Sequence, residues 1–268
     1  MENKIPIRFF VVTFLFSWLI WAVLVLNGSG IISSNFLSQI TLPVILLGAF
    51  GPAVGTIVSL YTIKGKGSLK KHFKSFLSLN FGLKVWLAMF LVLGFSAIIA
   101  WFLPELFGKD RIASMLPIIF AVPYLLLMIF LGGGQEEIGW RAYIVPIIEK
   151  RHGLVIGSLI FGIIWAIWHI PLWFIPGTSQ SYMNFFGFIL LCIGYSYFFS
   201  WIIEASRNRF FSGVVVHGIA NTFPVLFPFL NMEDNAIQIR YWIYCFLIFI
   251  IGIITVILRT MKMKKNSV

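Results

Sequence analysis

Charge is scarce in this chain. Only 11% of its 268 residues are Asp, Glu, Lys or Arg, and nine are acidic. A soluble globular domain carries about 25% charged residues, so there are too few here to cover a water-facing surface. Disorder is excluded as well, because it needs low hydrophobicity and apolar residues make up 60% of this chain. Cysteine is almost missing. Cys192 and Cys245 both lie inside apolar runs, which argues against a disulfide framework or a cysteine zinc site and reads as core packing. The sequence has no fixed-period repeat, no low-complexity linker and no polar segment long enough to form a soluble domain. It also lacks a His-Glu-x-x-His motif.

What is present is apolar length. Eight stretches, at about 9–26, 40–63, 85–103, 113–131, 154–175, 184–203, 212–230 and 241–258, can each cross a ~30 Å hydrocarbon core. The expected fold is therefore all-α: one integral membrane domain over 1–268, built as a polytopic bundle of about eight transmembrane helices. The 29 Phe and 10 Trp suit lipid contact and interfacial anchoring. The first stretch lacks a small-x-small cleavage site and is read as a retained helix rather than a signal peptide.

The net charge of +11 follows from topology. Alternate connections carry Lys4 and Arg8; Lys64, Lys66, Lys70, Lys71, Lys74 and Lys84; Arg141, Lys150 and Arg151; Arg207 and Arg209; and Arg259, Lys262, Lys264 and Lys265. That is 17 of the 20 basic residues. The opposite side holds Lys109, Arg111 and Arg240. This bias puts both termini in the cytoplasm and makes a nucleic-acid partner unnecessary. The Lys64–Lys84 connection reads first as a topology signal, with contact to anionic lipid as the alternative.

In such a chain the informative residues are polar groups within spans, each costing at least ~2.5–3.5 kcal/mol at the bilayer centre. Three places stand out. In Gly132-Gly133-Gly134-Gln135-Glu136-Glu137-Ile138-Gly139-Trp140-Arg141, adjacent glutamates on a helix point about 100° apart. Glu137 and Arg141 share a face at i, i+4 and can neutralise each other. Glu136 faces elsewhere, with Trp140 as its i+4 neighbour. A lone carboxylate beside an indole and apolar walls suits a general base; the plainer reading is a cytoplasmic loop with ordinary charges. In Trp165-Ala166-Ile167-Trp168-His169-Ile170-Pro171, a histidine lies deep in an apolar helix, and Pro171 frees a backbone carbonyl one turn back. In His217-Gly218-Ile219-Ala220-Asn221, His217 and Asn221 share a face, and the small residues between them admit a close neighbour. A satisfied core histidine and an interhelical hydrogen bond are the plainer alternatives. His152 and His72 read as exposed bystanders, and Glu204 as an ion pair with Arg207.

Depth ties the three places together. Glu136 and His169 stand about 15 and 16 residues from the turn at Arg151-His152-Gly153, so both lie ~22–25 Å above it at 1.5 Å per residue. His217 is 8 residues beyond Arg209, which gives ~12 Å below the surface, the depth also expected for the other two. The glycine run is then expected to break the fourth span beside Glu136, where irregular backbone can line a wet cavity.

These residues resemble a known family. Glu-Glu-x-x-x-Arg (Glu136, Glu137, Arg141), an aromatic-x-x-x-His (Trp165, His169) and His-x-x-x-Asn (His217, Asn221), each on its own helix, resemble the CAAX protease and bacteriocin-processing (Abi) family of intramembrane endopeptidases, bacterial type. The resemblance covers about 130–225. It implies Glu136 as the base acting on water, His169 as the group that positions that water, and His217 with Asn221 as oxyanion stabilisers. Glu137 and Arg141 are implied to fix the helix, and Trp165 to form an apolar wall. It further implies a multi-pass protein of the bacterial cytoplasmic membrane and a membrane-embedded or membrane-associated peptide or protein as substrate. No cofactor is required by this reading. If zinc is used, its ligands are Glu136, His169 and His217, although Asn221 is a poor zinc ligand. Two other functions compete. A non-catalytic bacteriocin-immunity or scaffold protein would use the fold alone. A proton-coupled transporter would use the same Glu and His as a relay, but no inverted repeat is present.

Overall fold

In the computed structural model, which describes residues 6–76, 78–232 and 238–266, every regular element is helical. The α-helices are α1 Ile7–Gly28, α2 Asn35–Gln39, α3 Thr41–Gly48, α4 Gly51–Lys64, α5 Lys66–Lys74, α6 Leu83–Phe102, α7 Ala121–Phe130, α8 Val145–His152, α9 Leu154–Trp168, α10 Phe185–Ala205, α11 Phe211–Leu226 and α12 Ile239–Asn266. Among the described residues, seven helical stretches are long and apolar enough to cross a membrane, and α11 is a shorter apolar helix. The protein is thus a multi-pass membrane bundle. Lys4, one of the basic residues counted above, lies outside the described residues.

Small residues let the helices approach one another, as expected where lipid supplies no hydrophobic drive for association. A Cβ on Gly252 of α12 would sit 2.7 Å from Gly194 Cα of α10. Near the N-terminus, Ser17 of α1 donates to the Gly48 carbonyl over 2.7 Å, and Trp21 donates to Ile45 O over 3.1 Å. These bonds hold α1 against the break between α3 and α4, just before Gly51-Pro52. The buried core runs through the centre of the bundle, with Trp140, Trp168, Phe161, Phe198 and Phe199 almost fully enclosed. Cys192 and Cys245 are buried and unpaired within it, as their apolar settings implied.

The fourth span differs from expectation in extent. The apolar stretch runs over Ile118–His152 rather than 113–131, and it changes character four times: a 3-10 turn Ile118–Phe120, then α7, then a 3-10 turn Gly134–Ile138, then a π-helical turn Trp140–Ile144, then α8. The break at the glycine run is as expected. Such departures from α geometry free backbone groups and cluster at functional positions. The ion pairs at the membrane edge also differ. Glu204 pairs with Arg259 at 3.1 Å and Lys262 at 2.9 Å rather than with Arg207, because α12 packs along α10 and delivers its basic end to that carboxylate.

Candidate active site

The site is built around the interrupted fourth span. Gly133 has φ +131°, a region closed to L side chains, and this lets the helix break after α7. Gln135, unremarked in the sequence reading, staples the break. Its Oε1 accepts from Gly133 N over 2.9 Å, and its Nε2 donates to Leu131 O over 2.8 Å. Backbone freed by the glycines is therefore satisfied within protein, as a low-dielectric setting demands. The 3-10 turn then projects Glu136 and Glu137 in different directions.

Glu137 is fully buried and accepts two bonds on Oε1, from Arg141 Nη1 at 3.3 Å and from His217 Nδ1 at 2.8 Å. The Glu137–Arg141 pair is the one expected from their spacing. The bond to His217 was not foreseen, since 80 residues separate the two. Arg141 is enclosed by aromatic faces, its Cζ lying 4.4 Å from the Phe161 ring centroid, 4.6 Å from Trp165 and 5.2 Å from Phe199. Ring quadrupoles so placed offset part of the cost of burying a guanidinium.

Glu136 faces the other way, into a cavity of about 300 Å³ that His169, His217, Asn221 and Trp165 also line. The indole that bonds it belongs to Trp165, which donates Nε1–H to Glu136 Oε2 over 2.9 Å. His169 ends α9, and its backbone N–H turns to Ala166 O. The Trp165 carbonyl is then taken by the ring of His169 itself, through Nδ1 at 2.8 Å. Asn221 donates Nδ2 to Gly132 O over 2.6 Å, which leaves its second amide hydrogen uncommitted.

Tautomers follow from these partners. A carbonyl and a carboxylate can only accept, so His169 and His217 both carry hydrogen on Nδ1. A neutral ring then has an unprotonated Nε2 that accepts; a His217 ring carrying a second proton, with the Glu137 carboxylate beside it, donates from Nε2 instead. The structure brings all four candidate catalytic residues, Glu136, His169, His217 and Asn221, to one cavity with Trp165, and places Glu137 and Arg141 directly behind them. Among the described residues no three His, Cys, Asp or Glu side chains form a group able to hold a metal ion.

His72 is corrected. It is half-buried rather than exposed, and its Nε2 donates to Ile138 O over 3.0 Å at the junction of the 3-10 and π turns. Desolvation lowers its pKa from the ordinary 6.5. Nothing in its basic surroundings signalled this contact across 66 residues. His152 is exposed, as expected.

Residues 118–223 match the family model described as type II CAAX prenyl endopeptidase Rce1-like. The chain resembles this family. The Rce1-like match spans the interrupted helix and all three motifs, close to the 130–225 read from the motifs. Over a longer range the chain is 26% identical to CAAX prenyl protease 2 of Methanococcus maripaludis, across 246 residues that cover 87% of this chain and 85% of that protein.

Proposed function

We propose that the chain is an intramembrane endopeptidase that hydrolyses a membrane-associated peptide or protein with a water activated by Glu136. One observation carries this reading: a carboxylate, two imidazoles and a carboxamide from three helical segments line one cavity within the spans. The Rce1-like match and the relative's name support it.

In the proposed reaction, water donates one hydrogen bond to Glu136 and one to His169 Nε2, which fixes its lone pair toward the scissile carbonyl. Glu136 takes a proton as the water oxygen bonds to the carbonyl carbon, and the C=O electron pair moves to oxygen. The free amide hydrogen of Asn221 and a protonated His217 Nε2 donate to that oxyanion. Glu137 balances the positive charge on the His217 ring. The C–N bond then breaks as Glu136 returns its proton to the leaving amine. No step needs a metal. Trp21, Met128, Trp168, Phe188 and Phe229 also line the cavity, so an apolar or lipid-bearing segment of substrate suits it. The bias of basic residues toward alternate connections supports an orientation with both termini on the cytoplasmic side.

The test uses the full chain in nanodiscs with a panel of peptides, among them one with a farnesylated C-terminus. Wild type is expected to cleave, Glu136→Gln to lose at least about 10³-fold in rate, and zinc chelators to leave the wild-type rate unchanged. Full activity in Glu136→Gln, or chelator inhibition reversed by added zinc, sinks this mechanism.

A further inference from the structure

The cytoplasmic-side turn between α10 and α11 borders a second, separate cavity. It measures about 150 Å³ and is lined by Asn80, Phe81, Gly82, Arg207 and Arg209. Two guanidinium-bearing residues in so small a lining are unusual in a chain this poor in charge. Glu204, the carboxylate nearest in sequence, is held by Arg259 and Lys262, so it does not neutralise either arginine. Among the described residues no salt bridge to Arg207 or Arg209 is formed. Arg207 and Asn208 hold the turn at positive φ, 64° and 59°, and Asn208 N and Arg207 N donate back to Ile203 O and Glu204 O at 2.9 and 3.0 Å.

The surroundings share the same sign. α5, with exposed Lys66, Lys70, Lys71 and Lys74, leads into the 75–82 connection. That connection packs on the turn through Phe76 against Phe210, with ring centroids 6.2 Å apart, and through Phe81 against Phe211 at 6.5 Å. All of these groups belong to the side assigned to the cytoplasm. A cation-lined cleft there, framed by aromatic side chains at the membrane edge, matches the phosphate of an anionic lipid headgroup in charge, in size and in depth. Arginine is the residue suited to clasp a phosphate through paired N–H donors.

We propose that this cleft binds the phosphate of an anionic phospholipid, with Arg207 and Arg209 as its ligands. The consequence for the fold is direct. Arg209 stands two residues before α11, which carries His217 and Asn221, so an occupied cleft clamps the base of that helix to the 75–82 connection.

The experiment measures lipid retention and needs no assay of cleavage, so it stands or falls independently of the hydrolase reading. Detergent-purified full-length protein is titrated with short-chain phosphatidylglycerol, with phosphatidylcholine of the same chain length and with inorganic phosphate, and binding is read by native mass spectrometry. Phosphatidylglycerol is expected to bind at least about tenfold tighter than phosphatidylcholine. Arg207→Gln/Arg209→Gln is expected to remove that preference, a loss of roughly 1.4 kcal/mol or more. The variant Lys66→Gln/Lys70→Gln/Lys71→Gln/Lys74→Gln is expected to keep it. Equal binding of the two lipids, a preference that survives the arginine variant, or loss only in the lysine variant overturns the proposal. Tighter binding of inorganic phosphate than of the lipid also overturns it, in favour of a free anion. If the double variant unfolds, the single variants Arg207→Lys and Arg209→Lys are used, and undiminished preference in both is again a refutation.

Discussion

The indole of Trp165 donates to Glu136 Oε2 over 2.9 Å, while the same ring lies 5.9 Å from that of His169 and 5.3 Å from that of His217. The residue expected to serve as an apolar wall is thus also a hydrogen-bond donor at the centre of the site. It fixes the direction of the carboxylate between two imidazoles and carries the Arg141 guanidinium against its face.

Replacing Trp165 by Phe keeps the aromatic contacts and removes the N–H. A hydrogen bond to a charged group is worth about 1.5–3 kcal/mol, so kcat/KM is expected to fall by roughly 10–100-fold, chiefly in kcat, with little change in Tm. Peptide-cleavage kinetics in nanodiscs check this. An unchanged kcat would show that the carboxylate does not depend on this donor.

Glu137 couples Arg141 to His217. Glu137→Leu leaves a buried guanidinium unpaired, and losing one partner of such a pair costs about 3–5 kcal/mol. The variant is expected to unfold at markedly lower temperature. The double variant Glu137→Leu/Arg141→Met is expected to recover much of that stability without recovering activity, because His217 still lacks its orienting carboxylate. Thermal melts read by intrinsic fluorescence give the stability part of this cycle. Equal melting of the single and double variants would mean that the pair is not what holds this helix.

Gly133 has no room for a side chain. A Cβ there would meet Asn221 Nδ2 at 2.5 Å and His217 Nε2 at 2.7 Å. Gly133→Ala is expected to reduce cleavage at least about 100-fold, since displacement of about 1 Å at a reacting group suffices for that. Parallel melting curves separate this loss from unfolding. Wild-type turnover in this variant would exclude the space between His217 and Asn221 from the reaction.

His72 gives a pH signature outside the spans. Burial holds its folded pKa below the ordinary 6.5, so the folded state resists a proton that the unfolded chain accepts. Its effect is absent well above 6.5. Stability falls as pH drops below 6.5, where the unfolded state binds more protons. His72→Gln is expected to flatten that part of the Tm-against-pH curve. An identical slope in the variant would assign the acid sensitivity to other groups.

Much of the site was legible in the sequence, because a membrane makes polar residues conspicuous. Glu136, His169, His217 and Asn221 stood out against apolar helices, and helix rise alone set them near one depth. The i, i+4 relation of Glu137 and Arg141 was local and therefore readable. What escaped were contacts between distant segments: His217 to Glu137, Trp165 to Glu136, His72 to Ile138, and Glu204 to the α12 cations instead of Arg207. Side-chain direction at a 3-10 to π junction has no sequence period, and an i, i+4 rule drawn for an α-helix assigned the indole of Trp140 to Glu136 where that of Trp165 makes the bond.

The sequence by itself determined that the protein is a multi-pass helical bundle, since a chain with so little charge and so many long apolar stretches can satisfy its backbone in lipid only by forming helices. It also singled out the polar residues that interrupt apolar helices. Tertiary structure alone decided the pairings between distant segments. The break at Gly133 and the packing of α9 and α11 against it divide the two adjacent glutamates, giving Glu137 to Arg141 and His217 and leaving Glu136 to the cavity. Hydrogen bonds form where helices meet, and the rotation of each helix against its neighbours is set by the packing of side chains from the whole bundle rather than by any local run of residues.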